Sequence, residues 1–147
     1  MSLASRTRSC LLPSRRMQEM STPEERMRAL RWGWELLRDI QQDSAVPVES
    51  RDSARTLALR YPAPAMLQAL LASGARHLPQ DVGAAIDDGR TLLEELQVRG
   101  KAAADTLRRI LYTLRHFPLY HAVSRVDDHL GGLQVWLQPE DLTTNAK

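Results

Sequence analysis

Residues 21–40 read STPEERMRALRWGWELLRDI, and this stretch decides how the rest of the chain is to be read. Thr22 suits an N-cap, Pro23 the first helical position, and Glu25 completes a T-x-x-E capping box in which each side chain satisfies a backbone donor of the other. Glu24 and Glu25 also lie at the positive end of the helix dipole. The pattern predicts a helix over 23–42, ended by Asp43-Ser44 and by Pro47, which disfavours helical geometry in the residue before it. At about 100° per residue, Met27, Leu30, Trp34 and Leu37 form one apolar stripe, and Ala29, Trp32, Leu36 and Ile40 a second. Arg28, Arg31, Glu35, Arg38 and Asp39 crowd into the remaining wedge, and only Glu25 and Arg26 interrupt the apolar side near its start. About 220° of this helix therefore calls for burial, more than one neighbouring helix covers. Either the helix is central in a bundle, or one stripe meets another chain. In the second case Trp32, Leu36 and Ile40 form the candidate partner interface, while Trp34 belongs to the core.

Working outward, a second helix fits 48–59 with Ala54 and Leu57 inward, and Tyr61-Pro62-Ala63-Pro64 breaks it. A third, over 65–73, carries Met66, Leu67, Leu70 and Leu71 and stops at Gly74, a favoured residue just past a helix end. A fourth runs over 79–99 to Gly100, a fifth over 101–115 to Phe117-Pro118, and a sixth over 119–129 to Gly131-Gly132. The fourth helix collects Val82, Ala85, Ile86, Gly89, Leu92, Leu93 and Leu96 on one face, the fifth Ala103, Ala104, Leu107, Ile110, Leu111 and Leu114. A short connection at Gly100 makes these two antiparallel neighbours. Their outer faces are opposite in charge, with Asp81, Asp87, Asp88, Glu94 and Glu95 on one and Lys101, Arg108, Arg109 and Arg115 on the other. The segment Leu133-Gln134-Val135-Trp136-Leu137 alternates like a short strand; with no second strand in the sequence, it reads as an apolar flap on the bundle. Residues 138–147 read as a flexible polar tail. The expectation is an all-α, single-domain bundle of five or six helices over 20–137, closed by a short apolar C-terminal flap.

The two halves echo each other. Residues 23–41 and 79–97 align without a gap and match Pro23/Pro79, Ala29/Ala85, Gly33/Gly89, Leu36/Leu92, Leu37/Leu93 and Gln41/Gln97. Each is followed by a helix ending in an Arg-aromatic-Pro element, Arg60-Tyr61-Pro62 or Arg115-His116-Phe117-Pro118. Duplicated helical hairpins account for this, and chance alignment of Leu-rich helices is the alternative.

A length of 147 residues fits one domain, and 43% hydrophobic with 26% charged residues is the balance of a chain with a packed core. Aromatics amount to 5%, so the core is expected to be aliphatic. The lone Cys10 excludes an internal disulfide, and no apolar run approaches the roughly 18–20 residues of a membrane span. The net charge of +2 and pI near 9.0 invite a nucleic-acid reading, but the basicity is local. Arg6, Arg8, Arg15 and Arg16 against Glu19 give residues 1–19 a charge of +3, which leaves −1 for residues 20–147. This leader has the Ser- and Arg-rich composition of a transit peptide and too short an apolar stretch for a secretory signal. The simplest reading is a disordered basic arm, or translated leader upstream of a start at Met20.

Candidate chemistry is sparse. No P-loop, G-x-G-x-x-G or G-x-S-x-G occurs. His77, His116, His121 and His129 include no i,i+3 or i,i+4 pair, so Asp127-Asp128-His129 beside His121 lacks the spacing of a helical metal site. Asp87/Glu94 and Asp88/Glu95 lie two turns apart, about 10 Å along the axis, and read as a solvated acidic face. No catalytic residue, metal ligand or cofactor is assigned. The basic fifth helix, through Arg108, Arg109 and Arg115, is the candidate nucleic-acid contact, although it lacks the Asn and Gln that read base edges.

Residues 21–30, STPEERMRAL, and Leu59-Arg60-Tyr61-Pro62 resemble the motifs of a small family of uncharacterised bacterial proteins, which open on a T-P-x-E-R-like motif and reach an Arg-(His)-Tyr-Pro element some forty residues later. The resemblance covers residues 20–70, about a third of the chain. It implies a bacterial cytoplasmic protein starting at Met20, and supplies no activity, cofactor or site residue. The expected role is a non-enzymatic protein-interaction or regulatory factor acting on a protein partner or a second copy through an apolar helix face. A DNA-binding regulator is the alternative, and an enzyme the third.

Overall fold

Thr22 opens the first helix as its sequence predicts: its Oγ1 accepts the Glu25 backbone N–H at 3.1 Å. The computed structural model describes residues 21–119 and 133–140. Helix α1 spans Pro23–Ile40, followed by α2 (Val48–Ala58), α3 (Pro64–Ala72), α4 (Gln80–Arg99), α5 (Ala104–Arg115) and one turn of 3-10 helix at Leu133–Val135. Among the described residues there is no strand, and the architecture is an all-α bundle. The expected leader over 1–19 and, from residue 120, the expected sixth helix lie outside the described residues. The segment over 133–137 is the apolar flap, with Leu133 and Leu137 buried against the bundle. No helix among the described residues is long and apolar enough to cross a membrane.

The wide apolar side of α1 is met by its own chain, because α1 packs against each of the four other helices among the described residues. Leu36 and Ile40, the candidates to face a partner if one stripe met another chain, have no exposed surface, as the alternative of a central helix requires. The interface assignment is corrected for these two residues: a helix surrounded by four neighbours has both stripes covered. Trp34, expected in the core, is half-buried at its edge, with the Arg38 guanidinium 4.8 Å over its ring. Arg26 is buried among the apolar residues and remains satisfied, donating to the carbonyls of Ser21 and Trp136.

The two Arg-aromatic-Pro elements converge on α1 at Gly33. The Tyr61 hydroxyl donates to the Leu30 carbonyl at 2.7 Å, and burial pushes its pKa up, so it stays a neutral donor. A Cβ on Gly33 would lie 2.5 Å from Tyr61 Oη and 2.9 Å from Phe117 Cε2. Only a residue without a side chain lets both rings reach the helix backbone. Gly89, the matched residue of α4, touches the other side of the Tyr61 ring.

All seven residues expected on the inner face of α4 are buried. Helix α5 departs from expectation twice. It starts at Ala104, because Gly100 closes α4 in the left-handed conformation (φ +63°) and Ala103 donates its N–H to Asp43 Oδ2 at 3.0 Å across the bundle. This bond, more than any other cause, lowers the Asp43 pKa. The buried side of α5 is Thr106, Ile110 and Thr113, whereas Leu107 and Leu114 are half-buried and Ala103, Ala104 and Leu111 exposed. Asp43 holds the start of the helix and Phe117, fully buried on Gly33, holds its end. The two anchors fix a rotation that turns part of the aliphatic stripe outward.

Candidate functional site

Two clefts adjoin along the seam of α1 and α5. Trp32 from α1 and Tyr112 from α5 are shared by both. One, of about 240 Å³, is completed by Glu35, Leu36, Arg109 and Thr113. The other, of about 280 Å³, is completed by Glu25, Arg28, Arg115 and His116. Tyr112 is 49% exposed, so the aromatic side chain common to both clefts is open to solvent. Of the three residues expected at a partner interface, Trp32 alone stays reachable from outside, partly buried at the junction.

At the far end of this seam, His116 Nδ1 lies 2.6 Å from Ser21 Oγ and 3.1 Å from Glu25 Oε2. Serine, histidine and carboxylate together suggest a nucleophile, but the arrangement differs from a catalytic triad. In a triad the serine and the acid address opposite ring nitrogens, so one orients the ring while the other loses its proton. Here both address Nδ1. A proton on that nitrogen is donated to Glu25 and cannot at once be taken from Ser21. The group acts as a bracket joining the start of α1 to the end of α5. Sequence reading missed it because Ser21 and His116 lie 95 residues apart with no motif linking them.

Two further contacts tie the C-terminal segment to the same end of α1. The Arg26 guanidinium stacks 4.5 Å from the Trp136 ring centroid and donates Nε to the Trp136 carbonyl at 2.9 Å. Glu140 takes Arg31 Nε at 2.7 Å, Arg31 Nη2 at 3.1 Å and Arg28 Nε at 3.3 Å, and its side chain is only 6% exposed. The Glu140 hydrogen bond is the main cause raising the Arg31 pKa. Residues 138–140, expected in a flexible polar tail, are thus anchored at Glu140; 141–147 lie outside the described residues.

The candidate nucleic-acid residues are not gathered into one cationic site. Arg109 is committed to Asp39 on α1 at 2.8 Å, and Arg115 lies 5.6 Å over the ring of Tyr112. Arg108 is exposed on the outer side of α5. Nor do the acids of α4 pair with the bases of α5 among the described residues: Asp88 meets Arg60 at 3.6 Å, and Glu94 meets Arg90 at 2.7 Å. Among the described residues no group of three His, Cys, Asp or Glu is placed to hold a metal ion, and the His121–His129 set lies outside them. No family model, curated protein or solved structure matches this chain.

Proposed function

We propose that this chain is a non-enzymatic interaction or regulatory factor that takes a protein partner at the α1–α5 seam. The observation that carries the reading is the pair of adjoining clefts shared by Trp32 and the half-exposed Tyr112. Large aromatics with accessible faces beside small pockets are the usual anchors of protein–protein binding energy. The Ser21–His116–Glu25 bracket supports a binding role over a hydrolytic one, because its nucleophile and acid compete for one nitrogen. A bacterial cytoplasmic setting goes with this reading and rests on the resemblance of residues 20–70 alone.

The test is affinity capture with wild type and Trp32→Ala, alongside thermal unfolding of both. A stoichiometric partner held by the wild type and lost from a Trp32→Ala chain of nearly unchanged melting temperature supports the proposal. Equal retention by both chains, or unfolding of Trp32→Ala, reduces Trp32 to a packing residue and overturns it.

A further inference from the structure

We propose that the outer ridge of α5 seats in the trough between α2 and α4 of a second copy of this chain. The ridge is Arg108, Leu111, Tyr112 and Arg115, at i, i+3, i+4 and i+7, which places the four on one helix face. Its middle is apolar and half-exposed, and its ends are cationic. The trough, about 510 Å³ and open, has Leu57 and Leu92 in its floor and Asp88 and Glu95 on the α4 wall, with Arg60 the one cation lining it; Asp52 on the α2 wall is already paired with Arg55 at 2.8 Å. The chemistry of the two surfaces is opposite in each element, apolar centre against apolar floor and guanidinium against carboxylate.

The spacing matches as well. Arg108 and Arg115 are seven residues apart, as are Asp88 and Glu95, so both pairs span about 10 Å along their helix axes. None of these charges is consumed by the α4–α5 contact within one chain. Arg108, Arg115 and Glu95 have no oppositely charged partner among the described residues, and Asp88 has only the long contact to Arg60. With −1 net charge over residues 20–147, two copies approach without strong mutual repulsion. Exposed ion pairs contribute little affinity, so burial of Leu111 and Tyr112 sets the strength and the charges set the register. A contact of this size is weak, with dissociation constants of about 10–100 µM.

Sedimentation equilibrium of the full chain, from about 5 µM to 500 µM at low and high salt, reads this directly. The expected result is a weight-average mass rising with concentration above the single-chain 16.6 kDa, and rising less at high salt. Arg108→Glu/Arg115→Glu weakens the association by about tenfold or more, as does Asp88→Lys/Glu95→Lys, each with circular dichroism like the wild type. An equimolar mixture of the two reversed chains recovers association, because each supplies the partner the other needs. If either reversed pair fails to fold, the single variants Arg115→Glu and Glu95→Lys replace it in the same mixing test. A wild type that stays at 16.6 kDa throughout, or folded reversed chains that stay monomeric when mixed, overturns the proposal. Tyr112 and Arg115 also line the seam clefts, so the two readings are told apart at the residues they do not share: Trp32→Ala leaves the self-association intact, and Asp88→Lys/Glu95→Lys leaves partner capture intact.

Discussion

Helices α1 and α4 match residue for residue at several positions, yet they do different work. Helix α1 is the axis of the bundle, in contact with each of the four other described helices, whereas α4 lies on its side against α1, α2 and α5. Gly33 and Gly89 occupy matched positions and both touch the Tyr61 ring. Gly33 is indispensable, since a Cβ there would meet Tyr61 Oη at 2.5 Å and Phe117 at 2.9 Å. At Gly89 the nearest atom would be 3.4 Å away, an ordinary contact. Similar sequence therefore does not mean equal constraint; what decides is how many rings converge on the position.

The largest effect that tests this contrast is Gly33→Ala. Overpacking and disruption of the Tyr61 hydrogen bond together outweigh the gain in helix propensity, for a net loss of about 2–3 kcal/mol in chemical denaturation. Tyr61→Phe comes next, at about 1–2 kcal/mol, because it leaves the buried Leu30 carbonyl without its side-chain donor. In a double-mutant cycle Gly33→Ala costs less on the Tyr61→Phe background, where one of the two close contacts has gone.

The helix ends sharpen the comparison. Helix α4 ends on its own Gly100, while the loop after α1 sends Asp43 across to the first turn of α5. Asp43→Ala is expected to cost about 1 kcal/mol, as for loss of a helix cap. Because the folded-state pKa of Asp43 is lowered, its contribution is present above the ordinary carboxylate value and is lost as pH falls below that value through the lowered one. The stability gap between wild type and Asp43→Ala accordingly closes below about pH 4. The smallest effect is Gly89→Ala, a gain of up to about 1 kcal/mol from helix propensity. A loss there as large as at Gly33 would make the two positions equivalent and break the comparison.

Much of the helical plan was legible because it is local. The Thr22-Pro23-Glu25 signal, the stop at Gly100 and the inner face of α4 all depend on residues within a few turns of one another. Periodicity also located the apolar stripe of α5, but not its direction, since rotation there is fixed by Asp43 and Phe117 from outside the helix. For the same reason α1 displays two apolar stripes without saying who covers them, so the sequence leaves open whether Leu36 and Ile40 meet their own chain or another. The candidate site was less legible still. Trp32 was found from its own helix, but Tyr112, its companion in both clefts, lies on another helix eighty residues downstream. Short of such pairs being brought together by the fold, no spacing rule links them.

The anchors at the start of α1 also set an order of events. Ser21 waits for His116, Arg26 for Trp136, and Arg28 and Arg31 for Glu140, partners 95 to 112 residues further along the chain. A ribosome adding about 5–20 residues per second delivers α1 on the order of ten seconds before its last contacts exist. During that interval the two apolar stripes of α1 exist with most of their future neighbours unmade. Among the described helices, the central one is thus the first to emerge, and it waits longest for its partners, so its apolar stripes are least covered during translation.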